Sequence, residues 1–140
     1  MSIYYCSEDI SSPKMQKRKM TSWIKETIAS EEKIPGEISF IFCSDNYLLE
    51  VNKQYLNHDY FTDIITFDYV ENNVISGDIF ISCDRVKENA SEYKTGFDNE
   101  LSRIIIHGVL HLLGFKDKNK KDKLLMTQKE DFYLEVLSNS

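Results

Sequence analysis

Residues 105–118, IIHGVLHLLGFKDK, put two histidines, His107 and His111, four residues apart inside an apolar run. A run of this kind has to bury itself in a core, and one helical turn sets both imidazoles side by side on one face. Polar rings on the core-facing side of a helix cost free energy unless they find partners. Two imidazoles roughly 6 Å apart along the axis, at the helical rise, can chelate one ion. A bare H-x-x-x-H pair is as compatible with a packed or surface position, so the neighbouring residues decide. Gly114 stands where a helix ending after Leu113 wants a left-handed residue, and Asp117 follows shortly after. A chain that turns back at Gly114 brings Asp117 over the ends of both rings. Two nitrogens, one oxygen and a fourth position left to water form the pattern of a catalytic zinc site, whereas closed four-ligand sets are structural. Gly108 occupies the place where H-E-x-x-H carries its glutamate, so the built-in base of zinc proteases is missing.

The 140 residues suit one ordinary domain, here 1–140, able to bury a core without staples. Residues 13–31 place Met20, Trp23, Ile24, Thr27 and Ile28 at helical spacing, with Pro13 expected in the first turn. IPGE is expected to break that helix, and Ile38–Ser44 alternates like a strand. A second helix follows, with Ser44 or Asp45 as N-cap and Leu48, Val51 and Tyr55 on one face. Residues 64–70 and the later DIFISC are expected to pair as an antiparallel hairpin around ENNVISG. From Asp84 the pattern is helical, interrupted near KTGFD and again near GFKDKN. The order α-β-α-β-β-α-α, with room for a short first strand at SIYYC, predicts an α+β fold: a single mixed β-sheet packed against a helical layer, with the metal site at the end of a helix.

No apolar run reaches the length of a membrane span. The start, MSIYYCSEDI, carries an acidic pair where a signal peptide would need cations ahead of a long apolar stretch, so a cytoplasmic location is expected. Cys6, Cys43 and Cys83 are far apart and in no C-x-x-C arrangement, and read as buried thiols in a reducing compartment. The net charge of −6 argues against a protein that coats nucleic acid by charge alone, but not against a local basic site. Two basic runs exist: KMQKRK at 14–19, and KDKNKKDK at 116–123, which is joined directly to Asp117. Both are compatible with solvated surface.

HGVLHLLGFKD resembles the H-G-x-L-H-L-x-G-Y-D-H signature of the YbeY family of bacterial, metal-dependent single-strand endoribonucleases. VNKQYLNHDYFTDIITFDY is similar to that family's segment LN-x-x-Y-R-x-x-D-x-P-T-D-V-L-S-F, GDIFIS to its following strand, and ELSRIIIHGVLHLLGF to its metal helix. The resemblance covers most of the chain and implies an α+β sandwich holding one zinc ion. It also implies cleavage of single-stranded RNA in maturation of the small-subunit ribosomal RNA and in ribosome quality control, with the ribosome or a ribosomal protein as partner. Two positions depart from the family pattern. Asp117 stands where the family has its third histidine, and it can complete the set through a carboxylate oxygen while also suiting iron or manganese. Leu56 stands where the family has an arginine, and a leucine cannot clamp phosphate.

The metal ligands expected are therefore His107, His111 and Asp117, with zinc as the cofactor. Lys116, Lys118, Lys120 and Lys121 are expected to contact RNA phosphates on either side of the scissile bond. His58, Asp63 and Arg103 are the catalytic candidates: His58 as a proton donor or acceptor or as a phosphate contact, and Asp63 because it matches a polar position of the family segment, where it is equally suited to orienting the loop by backbone hydrogen bonds. Arg103, one turn before His107, is a candidate for an acidic partner or for RNA. Other readings are a zinc hydrolase of another class, such as a metalloprotease, and a ribosome-assembly factor that has lost turnover, in which metal would be structural.

Overall fold

A computed structural model describes residues 2–140. In chain order the elements are β1 (Ile3–Ser7), α1 (Lys17–Ser30), β2 (Ile34–Cys43), α2 (Asp45–Leu56), β3 (Ile64–Asp68), β4 (Val74–Ser82), α3 (Cys83–Glu92), α4 (Phe97–Leu112) and α5 (Lys120–Ser138). The strands form one mixed sheet in the order β1-β2-β4-β3. β1, β2 and β4 run parallel, and β3 lies antiparallel to β4 with Ile64 opposite Ile81. Parallel neighbours need crossovers, and α1 supplies the one from β1 to β2.

Successive residues of a strand point to opposite faces, and β2 shows it. Phe40 and Phe42 join Ile79 and Ile81 of β4 in a core with α1 and α4, whereas Cys43 joins Ile65, Leu48 and Val51 in a smaller cluster with α2. The expected helical layer is thus one face of the sheet, and α2 packs on the other. The indole N–H of Trp23 donates to the carbonyl of Tyr133 at 2.8 Å and ties α1 to α5.

The helix that carries the histidine pair is the most buried of the five. Ile105, Ile106, Val109 and Leu110 are fully enclosed. Each such side chain contributes about 1.5–3 kcal/mol on burial, so the helix cannot slide along its axis without losing several of them. A Cβ on Gly108 would meet Ile79 Cγ2 at 3.0 Å and Ile64 Cδ1 at 3.1 Å. The residue after His107 is small because there the helix lies directly on β3 and β4.

Several local expectations are corrected. Pro13 lies ahead of α1, which begins at Lys17; Met15 instead packs on the core from the preceding irregular segment. The helix does end before IPGE, as expected, but those residues are already strand: Ile34 and Pro35 pair with Val74 and Ile75, so β2 starts at Ile34 and not at Ile38. The register shifts between Pro35 and Ile38, and such an irregularity tolerates a proline. β4 is correspondingly longer than DIFISC, β3 ends at Asp68, and the turn shrinks to residues around Asn72, which takes the left-handed conformation at φ 56°. The C-terminal region holds three helices, since both expected interruptions end one. Ser44 is the N-cap of α2, accepting the Tyr47 N–H. No helix among the described residues is long and apolar enough to cross a membrane.

Cys43 and Cys83 are buried as expected, but Cys6 is exposed, because β1 is an edge strand and residue 6 falls on its outer side. Burial pushes the Cys43 thiol up to about 12 and the Cys83 thiol up to about 11. Partial burial, with Glu8 and Asp78, raises the Cys6 thiol as well, yet Cys6 alone is exposed; since the thiolate is the reactive form, a thiol reagent at alkaline pH should label Cys6 first and the other two only after denaturation. Fast labelling of two or three thiols in the native protein would contradict this packing.

Candidate metal centre

The end of α4 is closed by a Schellman arrangement. Gly114 adopts φ +103°, its N–H donates to the His111 carbonyl, and the Phe115 N–H donates to the Leu110 carbonyl, both at 3.0 Å. Only glycine takes that conformation without strain, and it sends the chain back across the histidines. Asp117 Oδ2 then lies 3.3 Å from His107 Nε2 and 3.5 Å from His111 Nε2, and the two Nε2 atoms are 3.0 Å apart. Three donors each about 2.0–2.1 Å from a tetrahedral ion stand roughly 3.3–3.4 Å from one another. The triangle therefore fits one ion with little movement, and the donor types suit zinc. Asp117 is 40% exposed and the rings 20–25%, so solvent reaches the open side. Among the described residues this is the group of acidic, histidine or cysteine side chains placed to hold a metal ion.

The far side of His107 is fixed by a residue that the sequence pattern did not single out. His107 Nδ1–H donates to Glu130 Oε2 at 2.5 Å, and Glu130, on α5, is only 7% exposed. Its other oxygen accepts from Arg103 Nη1 at 2.8 Å, while Arg103 Nη2 donates to Asp131 at 2.7 Å. A proton held at Nδ1 leaves the Nε2 lone pair free for a metal. Burial alone would lower the His107 pKa, but the Glu130 bond and charge, with Asp117 and Asp63, raise it above the ordinary imidazole value. His111 goes the other way, lowered by burial and by its neighbour His107. Arg103 is thus occupied in holding Glu130. The signal for Glu130 was present in the spacing: Met126, Glu130 and Tyr133 are the buried residues of α5 and share one face.

Asp63 lines the same cleft as His107, Arg103 and Glu130. Burial pushes its carboxyl above the ordinary carboxylate value, against the opposing pull of His107 and Arg85. Its carbonyl accepts the Ser82 N–H at 3.0 Å, which pins the loop to the start of α3. Buried Asn52 holds the same loop by donating to the Tyr60 carbonyl at 2.9 Å, and Arg85 lies over the Phe61 ring at 5.2 Å while bonded to Asp45. His58 is exposed on that loop. Its described side-chain hydrogen bond is with the Tyr60 hydroxyl at 3.0 Å, and not with the histidine pair. Lys116, Lys118, Lys120 and Lys121 are all exposed, on the segment leaving the site and on the first turn of α5. Leu56 ends α2 and is 40% exposed, so a longer side chain there would meet solvent and not core.

Comparison with known proteins relates the whole chain to a family. A family model described as Endoribonuclease YbeY matches residues 5–138. A protein of that name from Parabacteroides distasonis is 50% identical over 137 residues, covering 98% of this chain and 96% of its own. One from Bacteroides fragilis is 52% identical over 131 residues, 94% of each chain. One from Flavobacterium psychrophilum is 56% identical over 115 residues, 82% of each. The solution structure of TM1509 from Thermotoga maritima superposes with a TM-score of 0.69 at 31% identity, over 97% of this chain and 89% of that one.

Removing the outer partner of a metal-bound histidine typically costs 10–100-fold in affinity, so Glu130→Gln should weaken zinc binding by about that factor in competition with a chelating dye. His107 in the metal-free protein keeps its proton above the ordinary 6.5. Zinc affinity should therefore fall as pH drops, with the fall beginning above that value; in Glu130→Gln it should begin lower. Unchanged affinity and pH dependence in the variant would contradict the role given to Glu130.

Proposed function

The chain belongs to the YbeY endoribonuclease family, and from that premise we propose that it is a zinc-dependent endoribonuclease. Its substrate is single-stranded RNA, cleaved in ribosomal RNA maturation and ribosome quality control, in the cytoplasm and in contact with the ribosome. The observation that carries this reading is the convergence of three donor atoms, from His107, His111 and Asp117, at the solvent-exposed end of a buried helix.

A zinc ion held there supplies Lewis acidity toward a phosphoryl oxygen and toward water. The residues of the chain do the rest. Glu130 and Arg103 keep the His107 ring in one tautomer and orientation. Asp63, on the cleft wall beside His107, is placed to take the proton of the attacking water. Gly108 cannot carry that role, since its position faces Ile79 and Ile64 of the sheet. That same contact sets the site apart from zinc proteases of the H-E-x-x-H type. The exposed lysines beyond Asp117 contact the phosphates of the strand.

Purified protein should cleave a fluorescent single-stranded RNA, lose that activity in a chelator and regain it with zinc. Cleavage that persists in chelator would overturn the metal-dependent reading. Asp63→Asn should retain zinc and lower kcat by about 10²–10⁴-fold, the usual loss for a general base; an undiminished kcat would take the proton-accepting role from Asp63. Replacing Lys116, Lys118, Lys120 and Lys121 with Gln should flatten the salt dependence of RNA binding, by roughly 0.7 in logarithmic slope for each phosphate no longer neutralised by a lysine. An unchanged slope would return these lysines to the solvated surface.

A further inference from the structure

The cleft beside His107 has a second wall that the metal centre does not use. Val86, Asn89 and Tyr93 of α3 and its cap, at positions i, i+3 and i+7, line one side, and Arg103 and His107 of α4 line the other. Its volume of ≈180 Å³ suits one small ring system better than a folded segment of chain. Asn89 is half-buried, and among the described residues its side-chain amide has no hydrogen-bond partner. Tyr93 is 65% exposed.

Charge selects what can enter. Asp63, Glu100 and Glu130 put carboxylates on the cleft, and the guanidinium of Arg103 is already bonded to Glu130 and Asp131. A phosphate would meet like charge with no spare cation. A neutral planar heterocycle would instead meet an aromatic face on which to stack and an amide offering both a donor and an acceptor. We infer that this groove takes one nucleobase of the RNA strand, next to the scissile phosphate, stacked on Tyr93 and hydrogen-bonded at its edge to Asn89. The inference rests on the endoribonuclease reading and adds a base-recognition subsite to it. The strand then runs from the lysines beyond Asp117, across the ligand triangle, and into the gap between α3 and α4.

The test uses zinc-loaded protein and a series of RNA oligonucleotides in which a single abasic ribose is stepped across the cleavage site. In the parent protein one position should raise KM by about five- to 150-fold, the range for loss of one stacked base. Tyr93→Ala should raise KM for the intact RNA by a similar factor with kcat nearly unmoved, and should lose its sensitivity to that abasic position. Tyr93→Phe should behave as the parent, and Asn89→Ala should alter which base is preferred there. An unchanged KM in Tyr93→Ala, or an abasic penalty that survives in it undiminished, overturns the inference while leaving the nuclease reading intact. If the parent cleaves no single-stranded RNA, the nuclease reading fails instead. The groove is then judged by fluorescence anisotropy with the same oligonucleotides, where the same pattern in Kd supports it and its absence overturns it.

Discussion

The packing of α4 onto the sheet at Gly108 is the contact on which the rest of this molecule depends. With Ile79 and Ile64 about 3 Å from where a Cβ would stand, the helix lies as close to β3 and β4 as a helix can. Its apolar residues are enclosed almost all round, by the sheet, α1, α3 and α5. A helix held in this way has no freedom to rotate or slip. His107 and His111, one turn apart, inherit that rigidity at no further entropic cost, and a metal centre needs donors fixed to a few tenths of an ångström. The Schellman turn at Gly114 then sets where the third donor arrives.

Two carboxylates act on one imidazole from opposite ends. Asp117 meets His107 at Nε2, where an ion would sit, and buried Glu130 meets it at Nδ1. The difference between them is exposure. Asp117 stands at the open rim and can exchange partners with solvent, whereas Glu130 has both oxygens bonded inside the protein and acts as a fixed orienting charge. An aspartate in place of a third imidazole lowers the net charge of the occupied site and makes it more tolerant of harder metals than a three-histidine set. The exposed lysines lie beyond the site, on the segment that follows Asp117 and on the first turn of α5. On the proposed reading, this division would let a chain of net charge −6 act on a polyanion.

What was legible in the sequence was what local periodicity encodes. The pair at i and i+4, the glycine stop and the carboxylate shortly after it lie within eleven residues, so helix geometry and one cap sufficed to bring them together. Ser44 as N-cap and the β3–β4 hairpin were readable for the same reason. Glu130 was not, because α5 returns it to His107 from twenty-three residues away, and only its place on the Met126–Tyr133 face marked it. Arg85 over Phe61, and the Asn89–Tyr93 wall, likewise depend on how elements pack. IPGE ended the helix as read, but the start of β2 was placed four residues late because Gly and Pro are turn formers in isolation, while here the pairing of Ile34 and Pro35 with β4 outweighs that preference. Cys6 misled because a small apolar thiol is usually buried, and nothing local announces an edge strand.

The ligand set is tested most directly by zinc K-edge X-ray absorption on the protein as purified. The geometry predicts a first shell of nitrogen and oxygen donors at about 2.0–2.1 Å with outer-shell scattering from two imidazoles, and loss of one imidazole in His111→Ala. In Asp117→Ala both imidazoles should remain while zinc is held more weakly. A sulfur shell at about 2.3 Å, or a spectrum with fewer than two imidazoles in the parent protein, would contradict the account.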